Sequence, residues 1–144
     1  MQRLSAMVAG LWWASLCTVG FLVVPMLFVH LPTPALAGGM AAKLFSAQSW
    51  VSAVCGLFLL MIGATPRYSG DPPIAPRSAS NTLMWILAAL IAALLLEFAV
   101  APHIVARENL KFWHGVGSGL YLTQCICTGI VLWKSLTTQA LRAS

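Results

Sequence analysis

Charge is what this sequence has least of. Only 8% of its 144 residues are Asp, Glu, Lys or Arg, and just three are acidic. Soluble domains carry roughly a quarter charged residues, so an ordinary hydrated surface cannot be built from this chain. Other signatures are missing as well. There is no phosphate-cradling glycine loop, no nucleotide fingerprint, no pair of carboxylates and no HxxxH spacing. Nothing supports nucleophilic catalysis, since Ser118 and His114 share one helix with no buried acid in a third role. The cysteines Cys17, Cys55, Cys125 and Cys127 all lie inside apolar runs. They read as small packing residues and not as a disulfide framework. Cys17 and Cys55 fall at similar depth, which leaves a soft-metal pair as the alternative.

What the chain has in abundance is oil. Sixty per cent of its residues are hydrophobic. They gather in four runs at 4–29, 44–63, 83–104 and 113–133. A membrane span needs about 20 apolar residues. The expected fold is therefore all-α, an integral membrane four-helix bundle, in one domain over 1–144. Arg3 and Ala35-Leu36-Ala37 imitate a secretory signal and its cleavage site. The first run is far longer than the roughly 7–15 apolar residues of such signals, so a retained first span is expected. Thr33-Pro34 reads as a helix start, a cap followed by proline at the first helical position. Ser80-Asn81-Thr82 are capping candidates for span three. Residues 65–82 hold four prolines and predict a loop. Trp113 and Trp133 stand about 30 Å apart at the helical rise and mark two aromatic belts.

The net charge is +5. Its basic residues are scattered at the ends of runs, which suits lipid headgroups and excludes nucleic acid as the partner. With the N-terminus inside, that side holds Arg3, Arg67, Arg77, Lys134 and Arg142, against Lys43, Arg107 and Lys111 outside. The positive-inside rule then favours both termini in the cytoplasm.

A faint repeat runs through the chain. Phe21-Leu22-Val23-Val24-Pro25 ends span one as Phe98-Ala99-Val100-Ala101-Pro102 ends span three. Lys43-Leu44-Phe45 and Lys111-Phe112-Trp113 then open the following spans. The pattern is that of a parallel duplication of a helix pair. Each proline withholds an N–H from the carbonyl one turn earlier, at Phe21 and Phe98.

Glu97 is the sharpest clue, because a carboxyl inside a span is costly and by default functional. Ala89, Ala93, Glu97 and Ala101 form a small-residue stripe, so Glu97 is expected to face protein. It stands about 10 Å from the end of its span. Gln48, Ser49, Ser118 and Tyr121 are its polar candidates at that depth, with His114 nearer the surface. His114 and Ser118, four apart, are expected to share a face toward the bundle. Glu97, Gln48, Ser118 and His114 form the candidate proton- or ligand-binding centre. The plainer reading is a glutamate that pins two helices by hydrogen bonding. His30, His103 and His114 lie at one membrane face and form the candidate metal set, for copper, zinc or haem.

Gly20 to Phe28, Pro102 to Arg107 and Phe112 to Gly115 carry a family resemblance. The chain resembles the bacterial four-span family of unknown function number 4149, which is similar to eukaryotic transmembrane protein 205. Members often have Arg after the span-three proline, where His103 stands here. The family is grouped distantly with copper-resistance D-like membrane proteins and a haem-linked oxidase of porphyrin synthesis. The resemblance implies a bacterial inner-membrane location and leaves a metal or tetrapyrrole role open. It supplies no catalytic residues. Three roles remain: a transport-related or cation-binding protein without enzymatic activity, an accessory subunit contacting other membrane subunits or its own copies, and a metal- or haem-binding protein.

Overall fold

A computed structural model describes residues 2–64 and 76–143. Four helical rods of 25 to 30 residues are long and apolar enough to cross a membrane. Span one comprises α1 (Gln2–Cys17), a π turn π1 (Thr18–Val23) and α2 (Val24–His30). Span two is α3 (Pro34–Ala64). Span three comprises α4 (Pro76–Leu95), a second π turn π2 (Leu96–Val100) and α5 (Ala101–Val105), and span four is α6 (Leu110–Ala143). The predicted helical bundle is therefore what forms.

Thr33 caps α3 as expected, its Oγ1 accepting the Leu36 N–H at 3.3 Å. The start of span three differs from expectation. The helix begins at Pro76, so Ser80, Asn81 and Thr82 lie within it and do not cap it. Proline at a first helical position lacks an N–H that would have no intrahelical partner anyway, which explains why a proline opens the helix the loop was expected to precede. Of the loop expected over 65–82, residues 76–82 are helical instead, and 65–75 lie outside the described residues.

Each span packs on its sequence neighbour, and span four closes on span one. Opposite spans do not approach within 8 Å between Cα atoms among the described residues. The core holds Ala9, Trp12, Leu16, Ala89, Tyr121 and Val131, with the apolar faces of Met7, Trp50, Val54 and Ile91 turned outward. This outward greasiness is what a bilayer stabilises, since lipid tails replace water at those faces.

The repeat is deeper than the apolar motif suggested. Buried Ala9, Trp12 and Leu16 on span one match buried Ile86, Ala89 and Ala93 on span three, each 77 residues later. Spans two and four correspond at 76 residues: Phe45 with Tyr121, Gln48 with Gln124, and Ser52 with Thr128. Phe45 and Tyr121 meet edge to face at 5.1 Å. This register replaces the one through Lys43 and Lys111. Lysines and aromatics recur at span ends because interfaces attract them, whereas a buried glutamine recurs only where the interior needs it.

Candidate functional site

Both expected proline kinks turn out to be π turns. Val24 donates to the Val19 carbonyl and Ala101 to the Leu96 carbonyl, each five residues back. A proline ring clashes with the carbonyl four residues earlier, and widening the turn relieves the clash. The wider register also moves the carbonyl that proline leaves without an N–H. It shifts from Phe21 and Phe98 to the i−5 residues, Gly20 and Glu97. The sequence names the prolines but not this change of register, because π turns have no strong residue signature. They occur frequently at functional sites.

Glu97 lies in the first turn of π2 and is part-buried. Ser46 of span two donates its hydroxyl to Glu97 Oε1 at 2.6 Å. The carboxyl thus faces protein, and the small stripe beside it is buried at Ala89 and Ala93. Its partner was not among the expected four. Ser46 lies two residues from Gln48, which sequence depth favoured equally.

The other three expected centre residues go elsewhere. Gln48 is buried and gives its amide N–H to Ser15 Oγ at 3.0 Å. His114 and Ser118 are exposed, contrary to a shared face toward the bundle. The inward face of span four runs instead through Gly117, Tyr121, Gln124 and Thr128. A Cβ at Gly117 would stand 3.3 Å from Val100 Cγ1 and 3.8 Å from Leu96 Cδ2. So π2 presents Leu96 and Val100 to span four and Glu97 to span two. One residue is about 100° on a helix, which is enough to separate Glu97 from Ser118.

A second polar chain crosses the interior. Gln124, 2% exposed, donates to Ser52 Oγ at 2.8 Å across the bundle. Ser52 in turn donates to the Gln48 carbonyl at 2.9 Å, and Thr128 repeats this on the Gln124 carbonyl at 2.9 Å. Where span one offers Ser15, span three has Ala92 at the matching position, so Gln124 turns to Ser52. This chain ties spans one, two and four through side chains whose buried polar atoms are satisfied. The buried Trp12 Nε1, by contrast, has no hydrogen-bond partner among the described residues.

The π1 turn is filled differently. Tyr121 donates its hydroxyl to the Leu16 carbonyl at 2.7 Å, and the Gly20 N–H donates to the Tyr121 hydroxyl oxygen. A side chain inserted in the backbone ladder is a known cause of local helix distortion. Gly20 is what admits the ring, since a Cβ there would stand 2.4 Å from Tyr121 Cε1.

The histidines do not converge. His30 Nδ1 pairs with its own helix at the Met26 carbonyl, 3.0 Å away. His103 pairs with Glu108 at 2.7 Å and stacks on Trp113 at 4.1 Å. None of the three histidines is buried, and among the described residues no three His, Cys, Asp or Glu side chains group as a metal-ligand set. The residues therefore do not fit the three-histidine copper or zinc site. Of the cysteines, Cys17 shares a groove with Cys125, not with Cys55. The His103 pair instead closes the hairpin between spans three and four. There Arg107 adopts a left-handed φ of 57°. Its N–H meets the Ile104 carbonyl at 3.1 Å, and the Glu108 N–H meets the His103 carbonyl at 3.0 Å. That is a Schellman ending, a position where glycine is usual.

Fold and site together define a multi-pass membrane protein in which one part-buried carboxyl is held between neighbouring helices. The chain belongs to the family described as Domain of unknown function (DUF4149), which matches residues 7–112. The match takes in spans one to three with both π turns. No curated protein and no solved structure matches the chain.

Proposed function

We propose that this protein binds a proton or a small cation at Glu97, as a transport-related membrane protein without enzymatic activity. The observation that carries the reading is the 2.6 Å hydrogen bond from Ser46 to Glu97 inside a π turn. Two oxygen-bearing side chains meet there, the Glu97 carboxyl and the Ser46 hydroxyl. Hard oxygen donors suit a proton or an alkali or alkaline-earth cation better than a soft metal. An acid kept among helices is also costly unless it has a role.

The setting of this reading is a bacterial inner membrane with both termini in the cytoplasm. The basic residues at the span ends support that orientation. Likeness to transmembrane protein 205 and to copper-resistance proteins belongs to the same proposal and adds no residue to the site.

The test is uptake in proteoliposomes with a pH-sensitive dye, and with sodium, potassium or calcium added singly. Wild type should show pH-dependent binding or flux that Glu97→Gln abolishes and Ser46→Ala weakens. Activity undiminished in Glu97→Gln would remove Glu97 as the binding group.

A further inference from the structure

Two thiols, Cys17 from span one and Cys125 from span four, line one groove on the outer face of the bundle. Neither Cys55 nor Cys127 lines it. Glu97 bonds between spans two and three, so the role of this thiol pair is independent of the one proposed for the carboxyl.

The register of the two helices fixes where the thiols stand. A Cβ on Gly10 would stand 3.7 Å from Leu132 Cδ1, and one on Gly129 would stand 3.1 Å from Trp13 Nε1. Gly20 faces the Tyr121 ring. Along span one the order is Gly10, Trp13, Gly20; along span four the facing residues come as Leu132, Gly129, Tyr121. The helices are antiparallel and stay in step, almost residue for residue. Four residues after Trp13 comes Cys17, and four before Gly129 comes Cys125. Residues four apart on an α-helix stand one above the other on one face. The cysteines therefore share a level on the two faces that meet, one turn from the Trp13–Gly129 contact and one turn from Tyr121. The thiols are close enough to interact electrostatically, and Tyr121 interacts with both.

This placement suits a covalent bond. A disulfide spans Cα atoms about 4.4–6.8 Å apart. Spans one and four approach within 8 Å between Cα atoms, and glycines at Gly10, Gly20 and Gly129 remove the side chains that would hold them apart. Cys125 is buried and Cys17 half-buried. The groove is flanked by the lipid-facing rings of Trp13 and Phe21, so an oxidant reaches it from the bilayer and not from water.

We infer that Cys17 and Cys125 are a disulfide-forming pair, joining span one to span four when a quinone dissolved in the bilayer oxidises them. Two S–H bonds break and one S–S bond forms. The two electrons and two protons pass to the quinone, which leaves as hydroquinone. A small dithiol reverses the step by exchange and is itself left as the disulfide. The bond ties the last turn of α1 to span four beside the Tyr121 contact.

The test uses the reduced full chain in proteoliposomes without oxygen, with a fully substituted benzoquinone to which thiols do not add. Parallel samples receive diamide, which takes up the same two electrons and two protons. Intact-mass and thiol counting should show the four free thiols falling to two in a monomeric chain lighter by two hydrogen atoms, with hydroquinone formed in equal amount. Dithiothreitol should restore all four. Cys17→Ala or Cys125→Ala should abolish the intramolecular bond, whereas the double variant Cys55→Ala, Cys127→Ala should form it as wild type does. Circular dichroism should show each variant as helical as wild type. Four thiols surviving diamide in wild type, or a bond that persists without Cys17 or without Cys125, would overturn the pair. A bond formed with diamide and not with the quinone would overturn the quinone as its oxidant.

Discussion

The two π turns share a backbone device and differ in what occupies it. Both precede a proline in parallel spans, and Phe21 and Phe98 mark the same place in each. At π1 the key position is Gly20, and Tyr121 reaches across from span four to fill the opening. At π2 the matching position is Glu97, and a serine hydroxyl reaches it from span two. In each case the helix that answers is the neighbour from the other half of the repeat. One turn is thus sealed by a rigid aromatic ring. Its counterpart carries an ionisable group hydrogen-bonded to a small partner. The first half thus fills its turn with an aromatic ring, and the second half keeps a carboxyl there.

This comparison can be broken most sharply at Gly20. Gly20→Ala should destabilise the protein by about 1–3 kcal/mol, the scale of overpacking, in equilibrium unfolding in mixed micelles. The same substitution in a Tyr121→Leu background should cost much less, because the Cβ then has no ring to meet. An equal cost in both backgrounds would mean that the ring does not explain the glycine.

The hairpin beyond π2 offers a change of opposite sign. A residue with a side chain in the left-handed region carries a penalty of about 1–2 kcal/mol. Arg107→Gly should therefore raise stability by about 1 kcal/mol in the same unfolding assay. Unaltered or lowered stability would show that the Arg107 side chain compensates for its backbone.

Removing each turn's hydroxyl compares the two fillings directly. Intramembrane hydrogen bonds average about 0.6 kcal/mol and reach about 1.7. Tyr121→Phe keeps the ring but loses two bonds, so it should cost near the upper figure. Ser46→Ala loses one bond and should cost near the lower. A reversed order would put the structural anchor at π2.

The smallest effect on stability is expected for Glu97→Gln, at most about 0.5 kcal/mol, because the amide oxygen can still accept from Ser46. A loss of several kcal/mol would instead mark Glu97 as a structural pin, the plainer reading that its sequence position also allowed.

Much of the architecture was legible because the bilayer imposes it. Run lengths announced four spans, and Thr33-Pro34 announced the start of α3. The inward direction of Glu97 was legible too, since Ala89, Ala93 and Ala101 share its stripe. Its partner was not. Ser46, Gln48 and Ser49 lie within one turn of span two, and depth alone ranks them equally. His114 and Ser118 misled because an i, i+4 pair shows a shared face without showing which way the face points. The buried pair Gln48 and Gln124 was visible as sequence, and only its spacing from Phe45 and Tyr121 could have revealed the better register of the repeat.

By itself the sequence determined the solvent, the number of crossings and the cost of one acid among apolar residues. Those follow from composition and length, which act on every residue alike. The tertiary structure alone decided that prolines widen into π turns, that Tyr121 closes one and Ser46 meets the other, and that the histidines stay apart. Such outcomes depend on the rotation of each helix about its axis. A rotation of about 100° exchanges Glu97 for a neighbour, and only packing against the two adjacent spans fixes it.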